Sequence, residues 1–154
     1  MPTTSAGILL YRLTGGRPEV LLAHPGGPFW RRRDDAAWTL PKGEPAPGEN
    51  AEAAARREFA EELGTPAAGP LRPLGRLRQK GGKWVEAFAL EGEFEPAHLR
   101  SNLFELEWPP RSGRRASFPE IDRVAWFALD QARSKILPSQ APLLDRLAAL
   151  LGTD

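Results

Sequence analysis

The sequence predicts an α/β fold in which helices pack on a mixed sheet. Three features predict it. Apolar runs of strand length recur along the chain, separated by turns rich in Gly and Pro. One stretch, 50–63, spaces its apolar residues for a helix instead, and two further helical stretches close the sequence. A chain of 154 residues with 41% hydrophobic and 27% charged residues suits one soluble domain, 1–154, large enough to bury a real core.

Residues 6–13 are apolar and unbroken, Thr14-Gly15-Gly16-Arg17-Pro18 reads as a turn, and 19–24 resume the apolar run, so the chain opens with a hairpin. Pro25-Gly26-Gly27-Pro28 ends it. Residues 29–35, three arginines and two aspartates around Trp30, read as an irregular surface loop from which Trp30 or Arg31 could face a substrate. Trp38-Thr39-Leu40 is a short apolar piece. The prolines and glycines of 41–48 predict a loop without regular structure. Asn50 is a natural N-cap for a helix to Leu63, and Gly64 stands where a left-handed residue ends it. On that helix Ala51, Ala55, Phe59 and Leu63 form one apolar stripe.

Farther on, 74–79 and 84–90 flank Lys80-Gly81-Gly82-Lys83, a hairpin whose second strand is apolar on both faces and should lie centrally. Phe104, Leu106 and Trp108 alternate with Glu105 and Glu107, giving a strand with one buried face. Residues 109–119 read as a long polar loop holding Arg111, Arg114 and Arg115. A strand over 123–127, a helix over 130–136 and an amphipathic helix over 142–151 complete the order.

Composition excludes several functions. With no cysteine there is no disulfide, thiolate nucleophile or Cys-ligated metal. A formal net charge of +1 implies no broad attraction to nucleic acid or membrane, so an anionic ligand must be small or locally gripped. No apolar run approaches a membrane span and the N-terminus lacks the pattern of a secretory leader, so the expected location is the cytoplasm. His24 and His98 share no ligand spacing, and neither receives a role.

The chemistry concentrates in 43–65, GEPAPGENAEAAARREFAEELGT. On a helix turning about 100° per residue, Glu58, Glu61 and Glu62 share an arc about 100° wide, which makes a candidate divalent-cation site beside the apolar stripe. Three acids alone read as well as a solvated helix face. Their offsets from Gly43, Glu49, Arg57 and Gly64 argue otherwise, since seven such positions coincide by chance at a rate of about 10⁻⁸.

The stretch resembles the signature of the Nudix hydrolases, with every charged and glycine position filled and Phe59 in the first apolar slot; Thr65 departs from the second, which concerns packing after the helix. Trp38-Thr39-Leu40-Pro41-Lys42-Gly43 is similar to the approach to that signature in members acting on dinucleoside polyphosphates and diphosphoinositol polyphosphates. The later segments RQKGGKWVEAFAL and FELEWPPRSGRRASFPEIDRVAWFALD look like an uncharacterised bacterial branch of predicted NTP pyrophosphohydrolases.

The resemblance implies an α/β/α sandwich with a mixed central sheet and a Mg²⁺-dependent pyrophosphohydrolase, with Mn²⁺ as the alternative ion. Metal-bound water would attack a diphosphate bond in a nucleoside diphosphate derivative: a dinucleoside polyphosphate, an NTP or an ADP-ribose-like compound. It assigns the metal to Glu58, Glu61, Glu62 and Gly43, and catalysis to Glu58, Glu61, Arg57 and Glu120. Arg57 would orient its neighbouring acid with support from Glu49, Glu58 would be the base or base and ligand, and Glu120 would be a further acid from a downstream loop. Lys42 would meet a phosphate, and Arg114 and Arg115, with Arg111, Lys80 and Lys83, are the remaining cations that could grip a polyphosphate. Homodimers are frequent in the family. The competing readings are a catalytically silent nucleotide-binding sensor and an enzyme of RNA 5′-end processing; the latter would want a basic groove and aromatic platforms, against which the near-neutral chain argues, although the arginine loop leaves it open.

Overall fold

The computed structural model describes residues 3–152. Its strands are β1 (Thr4–Thr14), β2 (Arg17–Pro25), β3 (Lys42–Gly43), β4 (Arg72–Arg78), β5 (Trp84–Glu91), β6 (Leu103–Glu107), β7 (Arg115–Pro119) and β8 (Ile121–Ala128), and its α-helices are α1 (Ala51–Leu63), α2 (Leu129–Lys135) and α3 (Pro142–Leu151). The main sheet runs β4-β5-β1-β2-β8, with β3 added on β1. It is mixed. β1 and β5 are parallel, from Thr4↔Trp84 to Tyr11↔Glu91, and the other pairs are antiparallel.

Alternation along β1 explains why its sequence reads as unbroken. Leu9 and Tyr11 enter one core with Trp38, Ile136, Leu143, Leu144 and Leu147, while Ile8 and Leu10 enter the other with Ala55, Phe59 and Leu63. Both faces are covered, so neither tolerates a polar position. The layers are α1 on one face and α2 with α3 on the other, an α/β/α sandwich. Among the described residues no helix is long and apolar enough to cross a membrane.

Three elements depart from the sequence reading. Lys42 and Gly43, expected in a loop, form β3 against Gly7 and Ala6, because two residues between the flanking prolines suffice to pair with a strand whose edge is open there. Residues 115–119, expected in a polar loop, form β7; Arg115↔Glu107 through Pro119↔Leu103 pair in a two-stranded ribbon, and a run with one aromatic residue, Phe118, next to three arginines concealed it. Trp108 falls just past the end of β6 instead of within a strand.

Candidate active site

The candidate site originates in a split between two neighbouring strands. β1 and β2 pair from Leu10↔Leu21 to Thr14↔Arg17, but at the other end of β1 Ala6 and Gly7 pair with β3 while Ala23 of β2 pairs with Thr39. The segment 39–43 therefore inserts between the strands like a wedge. Its Pro41 carbonyl accepts from Ile8 N–H at 3.2 Å, and its Thr39 carbonyl accepts from Ala23 N–H at 2.8 Å. Gly7 is required at the crossing, since a Cβ there would lie 2.6 Å from the Pro41 oxygen and 2.7 Å from Lys42 Cβ.

Gln140, fully buried, fixes the wedge from the opposite layer. Its Oε1 accepts from the Thr39 hydroxyl at 3.0 Å and from Leu40 N–H at 3.3 Å, and its Nε2 donates to Gln79 Oε1 at 3.1 Å. Sequence reasoning missed this residue. A glutamine between Pro138 and Pro142 carries no pattern that marks it as an anchor.

The wedge delivers Gly43 to α1. Asn50 caps that helix, its side chain accepting from Ala53 N–H at 2.8 Å, and Gly64 ends it at φ 82°. Ala54, Ala55, Phe59 and Leu63 are buried against the sheet, which turns Glu58, Glu61 and Glu62 toward the wedge and solvent. Glu58 approaches so closely that a Cβ on Gly43 would stand 2.0 Å from its carboxyl carbon. Only glycine leaves room for that carboxylate.

Arg57 organises the acids. Its Nε and Nη2 form a fork on Glu49, 2.9 Å to each carboxylate oxygen, while Nη1 donates to Glu58 at 2.9 Å and to both oxygens of Glu61 at 3.2 Å, and Nη2 reaches the Glu44 carbonyl at 3.1 Å. Such a planar, bidentate grip is beyond lysine. The pairing holds Glu49 below the ordinary carboxylate range and makes the guanidinium harder to deprotonate, in both cases chiefly through the Glu49–Arg57 hydrogen bonds.

Glu62 and Glu120 face the opposite situation. Burial pushes the Glu62 carboxyl up to about 8, helped by the charges of Glu58 and Glu120 and opposed by Lys42. Glu120 is raised as well, by burial and then by Glu58. Lys42 is lowered, first by burial and then by the nearby Lys83, against the attraction of Glu62, Glu44 and Glu58. Four acids and a lysine thus influence one another across the wedge. Among the described residues no three acids close on a single point; Glu58 and Glu61 lie against Arg57 instead. The donor set nevertheless fits a hard divalent cation, because carboxylates crowded against a peptide backbone supply oxygens alone and carry charge that burial leaves poorly compensated.

Glu120 reaches this place through backbone bonds. Arg100 and Asn102 N–H groups donate to the Leu63 and Glu61 carbonyls at 3.0 Å, satisfying the end of α1, and the Asn102 carbonyl accepts from Glu120 N–H at 2.8 Å. The Glu120 carbonyl accepts from Gly26 N–H at 2.9 Å. Gly26 has no substitute, since a Cβ would fall 1.9 Å from the Pro119 oxygen. His24, assigned no role from sequence, is fully buried between Asp122 at 2.9 Å and the Arg33 carbonyl at 2.6 Å, which ties the arginine loop to β8.

The arginines do not converge with the acids. Arg115 begins β7 and stands 3.9 Å from Glu105, four strand residues from Pro119, or about 13 Å at about 3.3 Å per residue. Arg114 precedes it, its carbonyl accepting from Trp108 N–H at 2.9 Å. Both sit at the ribbon's far end.

Comparison with known proteins bears on the family and the fold. A family model described as NUDIX domain matches residues 1–147. Among solved structures, a C. elegans Ap4A hydrolase in a binary complex is 24% identical, with TM-score 0.67 over 96% of this chain and 98% of that one. The NUDIX domain of Shewanella oneidensis NrtR complexed with ADP ribose is 15% identical, with TM-score 0.69 over 98% and 89%. A Nudix hydrolase from M. smegmatis, RenU, is 24% identical, with TM-score 0.61 over 97% and 86%. At these identities the likeness is one of fold.

Proposed function

The chain belongs to the Nudix family of pyrophosphate-bond hydrolases, and from that premise we propose that it cleaves a diphosphate bond in a nucleoside diphosphate derivative with Mg²⁺. Dinucleoside polyphosphates are the first candidates, ahead of nucleoside triphosphates and ADP-ribose-like compounds. The observation that carries the reading is the approach of Glu58 to Gly43, with Arg57 fixing Glu58 and Glu61 from one side and Glu62 crowding in beside them. Similarity to a hydrolase of Ap4A supports the choice of substrate class.

Glu58, Glu61, Glu62 and the Gly43 backbone would hold the ion. Bound Mg²⁺ neutralises charge on phosphoryl oxygens and lowers the pKa of water, the two things that displacement at phosphorus needs. Lys42, partly desolvated and beside the acids, binds a substrate phosphate. Arg57 keeps Glu58 and Glu61 oriented, and Glu49 keeps Arg57 in place. Glu58 takes the proton of the attacking water, with Glu120 as the alternative base on the facing loop.

Purified protein incubated with Mg²⁺ and a panel of dinucleoside polyphosphates, triphosphates and ADP-ribose should release phosphate-bearing products, and Glu58→Gln and Glu62→Gln should abolish release while the fold persists. The competing reading, a silent binding domain, takes support from the ADP-ribose complex of the S. oneidensis domain. Tight binding of one compound with none cleaved would establish that reading instead.

A further inference from the structure

Beyond the acids, two segments remote in sequence meet, starting beside Pro119, the residue before Glu120. Gly26 lies against Pro119, Gly27 (φ 100°) lies beneath Phe104, where a Cβ would be 3.1 Å from Cζ, and Phe29 meets Trp108 edge to face with ring centroids 5.5 Å apart. The stretch 26–29 therefore follows β6 outward from the Glu120 end to the ribbon tip. From Phe104 to Trp108 that path is about 13 Å at about 3.3 Å per residue.

Phe29 remains 62% exposed although it touches Trp108. The same two segments carry Arg31, Arg32, Arg111 and Arg114, and none of the four has a carboxylate partner among the described residues. Neighbouring charges are otherwise occupied: Arg33 lies over the Trp30 ring at 5.5 Å, Glu107 accepts from the Arg111 and Gly113 N–H groups, and Arg115 faces Glu105. An exposed aromatic ring on segments that also carry arginines without carboxylate partners suits a planar base joined to phosphate, because a ring stacks on the base and guanidinium forks meet phosphate oxygens.

We infer that the loop 26–32 and the ribbon tip form a second nucleotide subsite, in which the base of the non-reacting nucleoside stacks on Phe29 and the arginines meet its phosphates. The subsite rests on the proposed function for one point, that the reacting diphosphate lies at Glu58 and Glu62. It selects dinucleoside polyphosphates over mononucleotides, since a single nucleoside triphosphate at the acids has no second base to place there.

The test is calorimetric titration of the whole metal-free protein with diadenosine tetraphosphate and with ATP. Phe29→Ala should weaken diadenosine tetraphosphate about tenfold and leave ATP within about twofold, Phe29→Tyr should restore the affinity, and Arg31→Ala with Arg114→Ala should flatten its salt dependence. Equal Kd values for wild type and Phe29→Ala with the dinucleotide, or equal weakening of ATP, would overturn the subsite. Hydrolysis is measured separately with Mg²⁺. Phe29-dependent binding without cleavage would defeat the proposed function and keep the subsite, whereas cleavage of dinucleotides unaffected by Phe29→Ala would defeat the subsite alone.

Discussion

Gly43→Ala separates chemistry from folding. The new Cβ would stand 2.0 Å from Glu58 Cδ and 2.2 and 2.4 Å from its oxygens, against a contact floor of 3.0 Å, so the carboxyl carbon must withdraw by at least 1.0 Å. The atoms met are the far end of a flexible side chain. Withdrawal is therefore cheap for the fold, below about 1 kcal/mol against the 1–3 kcal/mol of overpacking a rigid core, and the melting temperature should fall by less than about 4 °C. A displacement of about 1 Å at a catalytic carboxylate costs on the order of 100-fold in rate. The expected outcome is kcat/KM for diadenosine tetraphosphate down about 100-fold in a protein melting near the wild-type temperature. Gly26→Ala is the contrast, because its Cβ meets the Pro119 backbone at 1.9 Å and cannot be accommodated by a rotamer change; it should lose both stability and activity. Differential scanning calorimetry with steady-state hydrolysis reads both quantities. Activity of Gly43→Ala within about threefold of wild type would refute the reasoning, as would a loss of stability equal to that of Gly26→Ala.

Arg57→Lys keeps the charge and loses the fork on Glu49, so kcat/KM should fall at least about tenfold and the Mg²⁺ concentration for half-maximal rate should rise, measured by metal titration of the hydrolysis rate. Gln140→Leu leaves Leu40 N–H without its buried acceptor, while the Thr39 hydroxyl keeps the Leu40 carbonyl at 2.9 Å, which should cost about 1–3 kcal/mol in urea unfolding and raise KM through the wedge that carries Lys42. The Glu62 carboxyl, raised by burial to about 8, favours the folded state while it holds its proton; that contribution is complete below about 4.5 and is lost as pH rises through about 8. Metal-free protein should therefore melt lower as pH is raised from 5 to 8.5, and Glu62→Gln should flatten the profile, both read by thermal melts in chelator.

Much of the fold was legible because the period of its apolar residues is strong. The opening hairpin, the helix capped by Asn50 and Gly64, and the hairpin through Gly81 and Gly82 each carry a local signal that packing then reinforces. The ribbon was not legible, since β6 and β7 form a separate two-stranded sheet, and Leu103 at 64% exposed shows how little burial shaped its sequence. Of the candidate site, the helix-borne acids follow from a spacing of three and four residues. What gathers Lys42, Gly43 and Glu120 around them is long-range: Gly7 and Gln140 beneath the wedge, Gly26 and Asn102 behind Glu120. Each is a residue type whose meaning depends on a neighbour dozens of positions away, and no local pattern announces it. Arg114 and Arg115, grouped with Lys42 by charge alone, stand at the end of the ribbon away from the acids.

Hydrolysis of diadenosine tetraphosphate in ¹⁸O-labelled water, with and without Mg²⁺, tests the central claim most directly. Mass spectrometry of the products should find one labelled oxygen in a phosphate-bearing product when Mg²⁺ is present, no turnover in chelator, and none with Glu58→Gln at any Mg²⁺ concentration. Intact dinucleotide after prolonged incubation of the folded wild-type protein with Mg²⁺, or undiminished turnover by Glu58→Gln, would contradict it.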